Sequence, residues 1–316
     1  MITLQKTVSL VSTSTDGKIL VWRYQDKLRY PIKGHSLLHK IGAESLAIGG
    51  TSLDKVNQME DNTYLVGTEG GSIFKCSVGQ PSDTDIAHLF ENSSLRWKTE
   101  AQQVIANLPK KSMAEVKKRV ERYAQDRGDR EIQVETVFNA KPDIKVLYPS
   151  TITSNFERHA GLVTGCHCSP FNKRLFLTCS VDGSVRIFDM HVNKPVAVYE
   201  PSCAEYLMNA VWSPYRPTVF VCISNNGNVY IYDLLLSKEV PSYTLPYSQS
   251  LLLSDRAPSA KTAYSLAFNP RQRDFLAVGY HDGTAKIFQL NYSLSTQKND
   301  EIRHLKSLFL EKERQE

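Results

Sequence analysis

No run of about 18 apolar residues occurs anywhere in the 316-residue chain, which excludes an ordinary transmembrane helix and membrane insertion by one. The opening stretch MITLQKTVSLVSTSTDG carries Lys6 inside any would-be apolar region and soon breaks into Ser and Thr, so it makes a poor signal peptide and the expected setting is the cytoplasm. Charge of one sign is scarce: a formal net charge of +5 spread over this length names no partner and does not imply nucleic acid. Cysteine is sparse too, with six in all. Cys76, Cys166, Cys168, Cys179 and Cys222 sit in apolar, strand-like text, where Cys behaves as a small hydrophobe and stays a free thiol in a reducing compartment. The Cys-His-Cys at 166–168 does not close a tetrahedral site from one strand, and core packing is the preferred reading.

Motifs that carry chemistry are also missing. There is no Gly-x4-Gly-Lys-Ser/Thr, and GTEGGS at 67–72 lacks the lysine that would reach phosphates. His-Glu-x-x-His, Gly-x-Ser-x-Gly and paired Cys-x-x-Cys are absent, and the eight histidines are scattered. No catalytic, cofactor-binding or metal-ligating residue is assigned, no cofactor is expected, and the chain is not expected to be an enzyme.

What the sequence does contain is 41% hydrophobic and 22% charged residues, enough for one large or two modest globular domains, and a repeat. Five stretches share one pattern: VSLVSTSTDGKILVWR (8–23), NTYLVGTEGGSIFKCS (62–77), LFLTCSVDGSVRIFDM (175–190), TVFVCISNNGNVYIYDL (218–234) and DFLAVGYHDGTAKIFQL (274–290). In each, an apolar strand enters a glycine-containing turn. Asp16-Gly17, Asp182-Gly183, Asn226-Gly227 and Asp282-Gly283 are dipeptides that tolerate positive φ in tight hairpins, which makes them structural turns. After the glycine, apolar residues alternate with period two and lead to Trp22, Phe188, Tyr232 and Phe288. The second copy departs from this with Lys75 and Cys76, and is expected to be irregular or at a sheet edge.

A second landmark keeps phase with the first. CHCSPFNKRLF, AVWSPYRPTVF and LAFNPRQRDFL each place Ser/Asn-Pro and a basic loop before the hairpin, at one fixed distance from Pro170 to Gly183, Pro214 to Gly227 and Pro270 to Gly283. With an inner strand upstream of each proline the unit is four strands long, the signature of a propeller blade. The basic loop residues Lys173, Arg174, Arg216, Arg271 and Arg273 fall at equivalent points of consecutive blades and would share one rim. They are the candidate partner-contact residues, with solubility as the competing reason for their charge.

These repeats resemble the WD-repeat family over most of the chain outside 90–157. The resemblance implies an all-β, WD-repeat β-propeller with about five recognisable blades, fewer than the seven or eight common in the family, and so an incomplete one. The family's terminal Trp-Asp is represented by Phe188-Asp189 and Tyr232-Asp233, and its structural histidine by His35 and, loosely, His159. Between the second and third hairpins a small α-helical insert is expected: Ala101, Val104, Ile105 and Leu108 make one apolar face, and a capping box from Ser112 to Glu115 opens a second helix that stops at Gly128. That segment is similar to a small helical module of a protochlorophyllide reductase subunit, without cofactor ligands. Its residues 110–130 hold eight basic and four acidic side chains, read either as a docking surface or as a solvated helix face. The expected organisation is blades over 1–90, the insert over 91–150, blades over 151–292, and a tail over 293–316 with a possible helix from Asp300, frayed or docked.

Finer detail narrows the family. CSPF with LF, then WSP and RP with VF, then DL, resembles the dynein intermediate chains. TDGKILVW and GTEGGSIFKCS are most similar to the smaller intermediate chain of cytoplasmic dynein 2, the motor of retrograde intraflagellar transport. This resemblance implies a non-catalytic subunit whose propeller binds the dynein heavy-chain tail for cilium assembly, beside a second intermediate chain. Dynein light chains would bind only through an N-terminal extension absent from this sequence, and the shortage of blades, with a start inside strand text, makes a fragment or shortened isoform lacking about two blades the expectation. The implied places are the cytoskeleton and the cilium, at its base and axoneme. A generic WD-repeat scaffold such as a ubiquitin-ligase substrate receptor, and an axonemal or dynein 1 intermediate chain, are the alternatives.

Overall fold

The computed structural model describes residues 9–23, 31–41, 44–56, 63–77, 152–202, 204–247 and 261–309. The helical insert expected at 91–150 lies outside the described residues. These fall into two compact units, divided after Gly50, after Cys76 and after Ile152.

The first unit holds the antiparallel sheet β1 (Ser9–Thr13), β2 (Lys18–Arg23), β3 (Pro31–Ser36) and the pair β4 (Leu38–Ile41), β5 (Glu44–Ala47). The second contains four sheets in chain order. They are β6 (Gly50–Lys55), β7 (Thr63–Thr68), β8 (Ile73–Ser77), β9 (Ile152–Phe156); β10 (Val163–Cys168), β11 (Leu175–Ser180), β12 (Val185–Asp189), β13 (Pro195–Tyr199); β14 (Leu207–Trp212), β15 (Val219–Ser224), β16 (Val229–Asp233), β17 (Tyr243–Leu245); and β18 (Ala263–Phe268), β19 (Phe275–Tyr280), β20 (Ala285–Gln289). The described architecture is all-β, and its sheets are the up-and-down blades that the repeat predicts.

One expectation is corrected here. β8, which carries Lys75 and Cys76, is neither irregular nor an edge: it lies between β7 and β9 in its sheet. Its outer neighbour β9 arrives only after residue 151, and the Thr153 hydroxyl donates to the Lys75 carbonyl at 2.9 Å. The long interruption therefore falls inside a blade, between its third and fourth strands.

The hairpin turns explain their glycines. In all five copies the glycine alone sits at positive φ, from 76° to 83°, while the residue before it does not. Ser180 and Ser184 close a three-residue loop through Ser180 N–H to the Ser184 carbonyl at 3.3 Å, and Gly183 N–H reaches back to the Ser180 carbonyl at 3.2 Å. This is a tight turn followed by a left-handed glycine, so the preceding Asp acts through its carboxylate rather than its backbone. Asp16, Asp182 and Asp282 accept from the amides of Lys18, Ser184 and Thr284 at 3.1, 2.9 and 3.1 Å.

Successive blades pack face to face in a repeated joint. Leu177, Cys179, Val185 and Ile187 meet Trp212, Phe220, Cys222 and Tyr232 of the next blade. Val221, Ile223, Val229 and Ile231 then meet Ala263, Leu266, Leu276 and Val278. On the other side, Leu65 and Ile73 meet Phe176 and Phe188. The receiving face carries stacked rings: Phe176 on Phe188 at 5.2 Å, and Phe220 on Tyr232 at 4.6 Å. Such pairs add about 0.5–1.5 kcal/mol beyond their burial.

Inner strands are stitched as well. Thr51 donates to the Val163 carbonyl at 2.6 Å and Thr164, its counterpart, to the Leu207 carbonyl at 2.8 Å. Asp54 accepts the Cys168 amide at 2.6 Å, and His167 accepts the Trp212 amide through Nδ1 at 3.2 Å. At the following joint the corresponding residues are Met208 and Val211, which pack instead.

The tail is docked. After α1 (Tyr292–Ser295), helix α2 (Glu301–Phe309) buries Leu305 and Phe309 in the core shared by the β10–β13 and β14–β17 blades. Ile302 is exposed, and Glu301 turns inward beside Leu305.

Candidate functional site

The loops at one end of the blades are built by the residue before each proline. Ser169 Oγ accepts the amides of Phe171 and Asn172 at 3.4 and 3.3 Å, Ser213 Oγ those of Tyr215 and Arg216 at 3.2 and 3.1 Å, and Asn269 Oδ1 those of Arg271 and Gln272 at 2.9 and 3.2 Å. A short polar side chain that bonds its own backbone fixes the turn while the proline sets φ.

That geometry corrects the expected basic rim. Counted from Pro170, Pro214 and Pro270, only Lys173 and Arg273 share a position. Arg216 is not on a rim at all, being 0% exposed. Its Nη1 donates to Asp233 Oδ2 at 2.7 Å and to the Ser293 carbonyl at 2.6 Å, while Nε and Nη2 reach Glu301 Oε1 at 3.0 and 2.7 Å. Thr218 also donates to Glu301, and the Lys298 amide donates to Glu301 Oε2 at 2.9 Å. Burial alone would lower the Arg216 pKa, but the two carboxylates hold it above the ordinary value. Burial alone would raise that of Glu301, but Arg216, Thr218 and the Lys298 amide bring it below. Arg216 thus fastens α2 to its blade.

Arg174 does a related task one blade earlier, gripping Asp189 with Nε at 3.2 Å and Nη2 at 2.6 Å. In the β18–β20 blade Gln289 donates to Asp274 at 3.1 Å instead. The terminal Asp of Phe188-Asp189 and Tyr232-Asp233 is therefore the partner of the loop arginine, a link the sequence displays as two separate marks. Lys173, Arg271 and Arg273 are exposed.

At the opposite end, His159 joins the turn of the β10–β13 blade. Its ring lies between Asp182 Oδ2, 2.9 Å from Nδ1, and Thr178 Oγ1, 2.8 Å from Nε2. Ser184 Oγ donates to Asp182 Oδ1 at 2.7 Å. Burial lowers the His159 pKa against the opposing pull of Asp182, so the ring is neutral, with Nδ1–H donating to the carboxylate and Nε2 accepting from Thr178. Burial would raise Asp182, but Ser184 and His159 bring it to about 2. The connectivity is that of a nucleophile, base and acid, yet Thr178 and His159 are both fully buried and no substrate reaches the hydroxyl. The relay is structural, and sequence reasoning did not identify Thr178 as its third member.

The next blades vary the same bridge. Asn228 and the Tyr230 hydroxyl donate to the two oxygens of Glu205 at 2.8 and 2.9 Å, and Lys261 pairs with Asp282. In the Cys-His-Cys stretch, Cys166 and Cys168 point into the core with Phe176 while His167 serves the neighbouring blade, so the three do not converge. Burial pushes the Cys166 thiol up to about 12, which removes its thiolate chemistry at neutral pH.

Residues 150–189 match the family model for the WD domain, G-beta repeat. The matched segment runs from β9, the last strand of one blade, through β12, the third strand of the next. The chain is 27% identical over 314 residues to cytoplasmic dynein 2 intermediate chain 2 of Mus musculus, an alignment covering 96% of this chain and 46% of that protein. It is 34% identical over 156 residues to cytoplasmic dynein 2 intermediate chain 2 of Homo sapiens, covering 49% and 27%. The chain spans less than half the length of these relatives. Neither match indicates an enzyme family, and no described helix is long and apolar enough to cross a membrane.

Proposed function

We propose that this chain, by its similarity to dynein intermediate chains, is a non-catalytic scaffold of cytoplasmic dynein 2 that holds the tail of the motor's heavy chain during retrograde intraflagellar transport. The observation that carries this reading is the similarity over 96% of the chain to a dynein 2 intermediate chain. Physically, the blades offer a packed frame with internal polar bridges such as Arg174–Asp189 and Arg216–Asp233, and loops at two ends that can meet a partner. Lys173, Arg271 and Arg273 supply exposed positive charge on one of those ends, suited to an acidic helical segment. The motor's nucleotide chemistry stays on the heavy chain, and a second intermediate chain completes the pair. The place of action is the ciliary base and axoneme.

The test is co-precipitation of the tagged chain with the dynein 2 heavy-chain tail. Capture is expected, together with a severalfold loss when Lys173, Arg271 and Arg273 are all changed to Glu. No capture overturns the scaffold reading, and capture indifferent to the triple change removes the three residues from it.

A further inference from the structure

One turn reaches two segments that follow it in the chain. The loop before β15 opens with Ser213, whose Oγ accepts the amides of both Tyr215 and Arg216 at 3.2 and 3.1 Å, so a single atom holds these two neighbours. Their side chains then part. The Tyr215 hydroxyl donates to the Asn269 carbonyl at 2.6 Å, in the loop before β19. The Arg216 guanidinium turns into the core and meets Glu301 of α2, Asp233 of β16 and the Ser293 carbonyl of α1.

Asn269 shapes its loop. Its amide donates to the Phe275 carbonyl at 3.0 Å, and its Oδ1 accepts the amides of Arg271 and Gln272 at 2.9 and 3.2 Å. With Tyr215 on its carbonyl it is fixed on three sides, and the loop it fixes carries Arg271 and Arg273. The link depends on a hydroxyl. One place after the proline, the three loops carry Phe171, Tyr215 and Arg271. A phenylalanine ring has no donor, so Phe171 cannot tie its loop to the next in this way.

Arg216 holds the other end. Its bonds to Glu301 and Ser293 exist only while α1 and α2 are seated. With the helices away, the guanidinium keeps Asp233 but loses its other close partners, and a buried cation with unpaired donors is driven toward water. Such a movement turns the backbone that aims Tyr215. We propose that the Ser213–Arg216 turn couples the seat of α2 to the loop presenting Arg271 and Arg273, with the Tyr215 hydroxyl as the positioning group. All of these residues lie in the second unit. The two-state element is α2, seated or released. For binding, the consequence is that a seated α2 strengthens the grip of that loop on an acidic partner, and this part rests on the heavy-chain reading above.

The experiment is amide proton exchange by NMR on the full chain, wild type against Tyr215→Phe, Glu301→Gln and the double variant. The amides of Arg271 and Gln272 report on the linked loop, and those of Phe171 and Asn172, held in the same manner by Ser169, on the loop without the hydroxyl. Each single variant is expected to speed exchange at Arg271 and Gln272 severalfold and to leave Phe171 and Asn172 as they were. The double variant goes no further than Tyr215→Phe, because both changes cut one path. A rise at all four amides alike marks plain loss of stability and overturns the proposal. So does wild-type exchange at Arg271 and Gln272 in Glu301→Gln, or a double variant in which the two effects multiply. Should Glu301→Gln fail to fold, Thr218→Val takes its place, since it removes a side-chain donor to Glu301. Capture of the heavy-chain tail is a separate arm: Tyr215→Phe keeps every charge and should still bind severalfold more weakly. Equal capture overturns the consequence for binding. No capture by the wild type overturns the heavy-chain reading, while the amides still decide the coupling.

Discussion

His159 and Asp182 show how single side chains set a pH limit on a blade. Both have folded-state pKa values below their ordinary ones, His159 because it is buried, and Asp182 because Ser184 and His159 outweigh its burial. A group depressed on folding stabilises the native state above its unfolded pKa and loses that contribution as the pH falls toward the folded value. The His159 share is complete above about pH 6.5 and declines below it, and the Asp182 share declines from about pH 4 toward 2. Denaturant melts from about pH 7.5 to about pH 2 should therefore show falling stability with acid. His159→Gln should flatten the upper part of that slope and Asp182→Asn the lower part, and unchanged slopes would contradict the relay. Arg216 gives a second prediction at this scale. Arg216→Met strands Asp233 and Glu301 in the core and should cost about 3–5 kcal/mol in urea melts. Combined with Glu301→Gln it should be non-additive by more than about 0.5 kcal/mol, because the two act on one contact.

Among the elements, the five hairpin turns look alike in sequence but stand in different surroundings. A Cβ on Gly227 would run into the Lys261 carbonyl, whereas one on Gly283 would meet nothing within 4 Å among the described residues. Both glycines have φ near 80°, so either alanine bears the left-handed strain of about 1–2 kcal/mol. Gly227→Ala should cost clearly more than Gly283→Ala in thermal melts, and equal costs would show that the turn moves freely against its neighbour. The turn glycines and the Ser/Asn-Pro loops were legible in the sequence because their causes are local, lying within a few residues. Arg216 was not, since Glu301 is 85 positions away and a buried guanidinium reads like any other charged loop. β9 escaped for the same reason: its partner β8 ends at Ser77, and nothing in ITSNF announces that pairing. Thr178 looked like one more residue of an apolar strand.

For the molecule as a whole, the charge that the described basic loops leave for a partner is reduced by internal bridges. Arg174 and Arg216 are engaged by Asp189 and Asp233. A heavy-chain contact resting on Lys173, Arg271 and Arg273 should weaken with salt, since exposed charges are screened over about 8 Å at 0.15 M and about 3 Å at 1 M. Binding measured at those two ionic strengths should differ for the wild type and much less for the triple Glu variant. Retention of full affinity at 1 M would assign the contact to apolar surface instead.

The placement of β9 also sets an order in time. While the chain is being synthesised, β8 is finished long before its outer neighbour exists, because residues 78–151 emerge between them. At about 5–20 residues per second, the β6–β8 sheet waits on the order of several seconds with β8 as its bare edge. A bare edge invites pairing with any strand nearby, and a lysine in its middle is a recurrent safeguard against that. Lys75, the residue that departs from the repeat, lies at the centre of β8. The residue that departs from the repeat thus stands where such a safeguard would act while β9 is still to come.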